Sequence, residues 1–213
     1  MLLPKQLNST AVKVTWQVPL NPNGEIFYRL YYWQSSTGAV TKRLAYDGSL
    51  LEHVVVGIHE YVTYTFMLQA YNVKYSWSSA ATNATETTHP AVPSEPVIVS
   101  VSTMTNYLEI NWKLPTEPNG IIKSFHLCWT LVVMNNQSCI DFNGAAIWYR
   151  IPNLKAFSQY NVSLAASTSV GQGPPVTNVY STDEGVPSEP RDLQALETRA
   201  NLPFSSRGKN QRA

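Results

Sequence analysis

Apolar and intervening residues alternate over two long stretches of the chain. In the first, Ile58, Val62, Tyr64, Phe66, Leu68 and Ala70 are interleaved with His59, Thr63, Thr65, Met67 and Gln69. In the second, Leu154, Ser158, Tyr160, Val162, Leu164 and Ala166 hold the same positions. Period-two patterning of this length predicts a strand with one buried face. Shorter alternations precede each stretch. Val12, Val14 and Trp16 share one face, as do Leu108, Ile110 and Trp112, so both tryptophans are expected to point into a core. Ile26, Tyr28, Leu30 and Tyr32 predict the next strand of the first copy, and Phe125, Leu127 and Trp129 that of the second.

The punctuation between these strands repeats as well. Trp16, Pro19, Pro22 and Gly24 recur as Trp112, Pro115, Pro118 and Gly120 at a constant offset of about 96 residues. Each Pro-x-x-Pro-Asn-Gly run removes backbone donors and then supplies a residue tolerant of positive φ, which ends one strand and turns the chain. Turn chemistry therefore accounts for these prolines better than recognition by an SH3 domain. The second copy carries one extra residue before Phe125, read as a loop insertion or bulge. Val92-Pro93-Ser94-Glu95-Pro96 joins the copies, and Val186-Pro187-Ser188-Glu189-Pro190 follows the second. Repeated proline suits a short, stiff junction.

Together, the Trp followed by Pro and Asn-Gly, the Tyr within an alternating strand, the Ala further along it, and the Pro-Ser-Glu-Pro opening resemble fibronectin type III repeats. The resemblance covers roughly residues 5–182, with a third start at 186. It implies an all-β fold of two tandem immunoglobulin-like sandwiches, with Trp16, Tyr64, Trp112 and Tyr160 in their cores. It also implies a tyrosine corner at Tyr64 and Tyr160, the hydroxyl bonding nearby backbone. Glu60 and Ala156 stand where that family often has Pro, and Tyr75 where it often has the Gly that Gly171 keeps.

The expected organisation is a first repeat over 1–90, a second over 93–184, and the start of a third over 186–213 that runs into a disordered tail. Only about fifteen residues precede Trp16, against about twenty between Pro93 and Trp112, so the first repeat is expected to be N-terminally truncated, lacking most of its first strand. The chain is read as a fragment or truncated isoform of a longer array.

Net charge is +1, and the basic residues are scattered rather than striped, which argues against nucleic-acid binding. No apolar run reaches the roughly 18 residues of a membrane span. Met1 to Gln6 lacks the basic and apolar regions of a signal peptide. With two cysteines, each unit relies on its apolar core.

Candidate sites are few. Asn8, Asn83, Asn136 and Asn161 open Asn-x-Ser/Thr sequons in polar edges, turns or outward positions, and are candidate glycosylation sites. Cys128 and Cys139 flank a predicted hairpin running from Leu127 to Val133, a turn at Asn135-Asn136, then Ser138 to Phe142. They are either a disulfide or two small reduced core residues, because a one-residue slip would put them on opposite faces. His53, His59, His89 and His126 lie in separate segments and read as solvated strand or loop residues; no metal site, cofactor site or catalytic constellation is expected. Ser76-Trp77-Ser78-Ser79 has a faint likeness to the Trp-Ser-x-Trp-Ser box of cytokine receptors, but is read as a Trp packed along the last strand of the first repeat.

The resemblance implies a non-catalytic extracellular adhesion or receptor segment, acting as a spacer and protein-binding scaffold. Receptor tyrosine phosphatases, usherin-like matrix proteins and neural adhesion receptors carry similar arrays. The implied partner is a protein or extracellular matrix component, met by loops 20–25 and 72–79 and by loops 116–120 and 168–174. Two alternatives stand beside it: an intracellular structural module of a cytoskeletal or sarcomeric protein, or the accessory ectodomain of a receptor enzyme whose catalytic part lies elsewhere.

Overall fold

The computed structural model describes residues 1–35, 41–72, 74–75, 77–134 and 136–189. Among the described residues all regular structure is β. The first unit contains β1 (Leu2–Asn8), β2 (Ala11–Trp16), β3 (Ile26–Gln34), β4 (Arg43–Gly48), β5 (Glu52–Val56), β6 (Thr63–Asn72) and β7 (Thr82–Thr87). The second contains β8 (Val97–Thr103), β9 (Leu108–Lys113), β10 (Ser124–Leu131), β11 (Gln137–Asn143), β12 (Trp148–Ile151), β13 (Gln159–Ser167) and β14 (Val176–Ser181). Most of the third repeat and tail expected over 186–213 lies outside the described residues.

Each unit packs a three-stranded sheet on a four-stranded one. The orders are β1-β2-β5 on β4-β3-β6-β7, and β12-β9-β8 on β11-β10-β13-β14, all antiparallel. One face of each sheet is apolar, and the two faces meet in a core. Val12, Val14 and Trp16 of β2 meet Tyr28, Leu30, Tyr64 and Phe66 of β3 and β6. Leu108, Ile110 and Trp112 of β9 meet Phe125, Leu127, Tyr160, Val162 and Leu164 of β10 and β13. At about 1.5–3 kcal/mol for each fully buried large apolar side chain, these clusters are the main stabilising term of each unit.

The duplication persists in side-chain and backbone geometry. Trp16 lies 5.7 Å from the Tyr28 ring, and Trp112 lies 5.7 Å from the Phe125 ring. Three left-handed positions recur in the same register: Asn23 and Asn119 (φ 51° and 49°), Gly57 and Asn153 (68° and 58°), Tyr61 and Phe157 (51° and 47°). Tyr28 faces Ala70 and Phe125 faces Ala166 across their sheets, so the extra residue of the second copy falls in the loop before β10.

The first unit does not lack its first strand. β1 has seven residues, as β8 has, and Leu2 faces Trp16 as Ile98 faces Trp112. Pro93 to Pro96 precede β8, so the longer stretch before Trp112 is junction and not strand. Leu2 is buried in the core, so β1 closes the sheet edge that a truncated repeat would expose.

The junction between units is held from both sides. The Tyr61 N–H donates to the His89 carbonyl at 3.2 Å, and the buried Thr88 hydroxyl donates to the His59 carbonyl at 2.7 Å. On the other side, the Ala91 N–H donates to the Asn119 carbonyl at 2.8 Å, and Asn119 Nδ2 donates to the Val92 carbonyl at 3.0 Å. The Thr168 hydroxyl donates to the Ala91 carbonyl at 2.8 Å, and Ser94 exchanges hydrogen bonds with Glu117. Residues up to His89 thus belong to the first unit and residues from Ala91 to the second. Pro90, with its fixed φ, is the link.

Candidate functional site

Tyr64 and Tyr160 start the central strands β6 and β13 and are both buried. The Tyr64 hydroxyl accepts the His59 N–H at 2.9 Å, and the Tyr160 hydroxyl accepts the Lys155 N–H at 2.8 Å. The carbonyls of His59 and Lys155 accept the hydroxyls of Thr88 and Thr182. Both corners are therefore closed on the donor and the acceptor side. Trp16 and Trp112 are buried as expected, and among the described residues neither indole N–H has a hydrogen-bond partner.

The loops divide into two kinds. Loops 116–120 and 168–174, expected to be free for a partner, face the junction: Glu117, Asn119 and Thr168 bond the linker, and the Gly173 backbone lies against Pro93. Loop 20–25 and the described residues of 72–79 lie at the other end of the first unit, where β2 finishes and β3 begins. There Trp77 is not packed along a strand; it is 72% exposed and stacks on Tyr75 with centroids 5.1 Å apart. Lys74 Nζ sits 5.2 Å from the Tyr75 ring centre.

A polar cluster occupies the outer face of the first unit's four-stranded sheet. Arg29 Nε donates to Asp47 at 2.9 Å, the Tyr71 hydroxyl donates to the other carboxylate oxygen, and the Arg29 guanidinium lies 4.2 Å from the Tyr71 ring centre. The Tyr71 hydrogen bond, then that of Arg29, holds the Asp47 carboxyl below the usual range. The same carboxylate raises the Tyr71 phenol and the Arg29 guanidinium above theirs.

Asn8, Asn83, Asn136 and Asn161 are all exposed. Asn8 also turns the chain between β1 and β2, its Oδ1 accepting the Thr10 N–H at 2.9 Å.

Cys128 on β10 stands directly opposite Cys139 on β11, with Cα atoms 4.1 Å apart and the sulfurs bonded. Sequence reasoning missed the residue beside them. His126 lies two positions before Cys128 on the same face, its Nε2 3.1 Å from Cys128 Sγ and its Nδ1 2.6 Å from Asp141 Oδ1. The His-x-Cys spacing inside an alternating strand was the available signal. The donor atoms of His126, Cys128 and Cys139 lie within 4.8 Å of one another. With both sulfurs in a disulfide, only the imidazole is a strong metal donor, so the trio in this state is not a metal-binding set.

Two antiparallel sandwiches in series, each closed by a tyrosine corner and joined through a docked proline linker, define a tandem module of the immunoglobulin-like class. The fibronectin type III domain family model matches residues 3–85 and 92–182, and the chain belongs to that family. It is 30% identical over 197 residues to the human phosphatidylinositol phosphatase PTPRQ, covering 86% of this chain and 8% of that protein. It is 27% identical over 225 residues to a Caenorhabditis elegans tyrosine-protein phosphatase Lar-like protein, covering 94% and 10%. With chicken protein sidekick-2 it shares 27% over 191 residues, covering 85% and 9%. The chain thus spans a tenth or less of the length of these relatives.

Proposed function

We propose that these two repeats are a non-catalytic, stiff spacer in the extracellular part of a larger receptor or adhesion protein, and a scaffold for a protein partner. The observation that carries this reading is the junction. Its backbone is hydrogen-bonded to the first unit through His89 and to the second from Ala91 onward, leaving Pro90 between them. A linker docked in this way transmits orientation, which a flexible tether does not.

Three further features favour the extracellular setting. The sulfurs of Cys128 and Cys139 form a bond that persists in oxidising compartments. Asn8, Asn83, Asn136 and Asn161 are open to a glycosyltransferase. The phosphatases and the sidekick protein named above carry segments similar to this repeat pair. An intracellular structural module draws support from none of these features. The partner surface that fits best is the end of the first unit, where the Tyr75–Trp77 stack offers exposed aromatic area with a neighbouring lysine.

Limited proteolysis of the full chain with thermolysin tests the spacer. A docked linker is cut at 90–93 no faster than the folded units are; prompt release of two stable halves by cleavage there would overturn the reading.

A further inference from the structure

We propose that the Cys128–Cys139 bond is a thiol-exchange site: a low-molecular-weight thiolate attacks Cys139, and Cys128 departs as a thiolate onto the imidazole of His126.

The two sulfurs are not equivalent. Cys128 is 5% exposed and lies on β10, an interior strand, whereas Cys139 is exposed and lies on β11, the edge of the sheet. Displacement at sulfur needs the attacker in line with the bond that breaks. Beyond Cys139 the sheet has no further strand, so its sulfur can be approached from the open edge. Beyond Cys128 lies β13, where Ser163 stands opposite. Access therefore selects Cys139.

Leaving-group chemistry selects the same direction. Exchange is faster when the departing thiol is stabilised as thiolate. His126 Nε2 is 3.1 Å from Cys128 Sγ, while Nδ1 faces Asp141 Oδ1 at 2.6 Å. In its protonated form the imidazole donates through both nitrogens, Nδ1–H to the carboxylate and Nε2–H to the sulfur that leaves. The groups facing it are Asp141 and Cys139 on β11 and Ala165 and Ser163 on β13, so Asp141 supplies the facing charge. Asp141 acts as a positioning residue; His126 touches the reacting sulfur.

The thiolate RS⁻ forms an RS–S bond to Cys139 as the Cys139–Cys128 bond breaks, and the electron pair passes to Cys128 Sγ, which takes the Nε2 proton. A second RS⁻ attacks the mixed disulfide, releasing RSSR and the Cys139 thiolate. The protein gains two electrons, and two small thiols are oxidised to one disulfide. The product is an unstapled β10–β11 hairpin.

The test uses the full oxidised chain with reduced glutathione, quenching with acid and mapping adducts by mass spectrometry. The first adduct is expected on Cys139. At matched pH the wild type should react about tenfold faster per glutathione thiolate than His126→Gln. Asp141→Asn separates positioning from a general field effect. Removing a negative charge would speed an anionic thiol if only the field mattered, whereas loss of positioning slows it. Oxidised variants are checked for an unchanged melting temperature. An adduct first on Cys128, equal rates for wild type and His126→Gln at every pH, or a faster Asp141→Asn would each overturn the proposal.

Discussion

The hydroxyl of Tyr160 accepts the backbone N–H of Lys155 at 2.8 Å, and Thr182 caps the carbonyl of that same residue at 2.6 Å. Five residues of chain at the corner before β13 are thereby closed on both polar groups, and Tyr64, His59 and Thr88 repeat the arrangement in the first unit. Tyr160→Phe keeps the ring and leaves the N–H without its acceptor. The expected cost is about 1–3 kcal/mol in urea unfolding, and Tyr64→Phe should fall in the same range. A change under about 0.5 kcal/mol would show that the hydroxyl contributes nothing beyond the ring.

Phe157 is 77% exposed and sits at φ 47°, a conformation that costs a residue with a Cβ about 1–2 kcal/mol. Its side chain does little packing to offset that strain. Phe157→Gly is therefore expected to raise stability by roughly 0.5–1 kcal/mol, and Phe157→Val to lower it. Chemical denaturation of the three proteins measures both signs.

A Cβ at Gly173 would lie 2.1 Å from the Pro93 carbonyl oxygen, so Gly173→Ala must push the linker off the second unit. The expected loss is about 1–3 kcal/mol in the second unit, together with faster thermolysin cleavage at the junction. A stable variant with an intact junction would mean that the linker rests on this surface without being held by it.

The Asp47 carboxyl titrates below its unfolded value because Tyr71 and Arg29 bond the charged form. Its contribution is fully present above the unfolded value of about 3.9 and is lost as pH falls through the lower folded value. Asp47→Asn should therefore be less stable than wild type at neutral pH, with the difference shrinking in strong acid. Urea midpoints at both pH values test this; a difference independent of pH contradicts it.

Much of this fold was legible in the chain because burial imposes period two, and the duplication doubled each signal. Trp16 with Trp112 and Tyr64 with Tyr160 could be placed from spacing alone. Other features were not legible there, the exposed Trp77 among them. The length of β1 is not legible from residue counts, because the stretch from Pro93 to Trp112 includes a proline junction that lies outside strand β8. The role of loop 116–120 depends on which surface the linker lies on, and no local pattern carries that information. His126 matches no motif by itself, although its position two residues before Cys128 in a strand puts both on one face. Its contact with Asp141 needed the hairpin register, which the sequence left open by a residue or two.

Residual dipolar couplings of the full chain measure the stiffness of the junction most directly. Backbone amides of β1–β7 and of β8–β14 are predicted to fit a single alignment tensor of one magnitude and orientation. Two tensors of clearly different magnitude would show the units moving independently, and the spacer reading would be wrong.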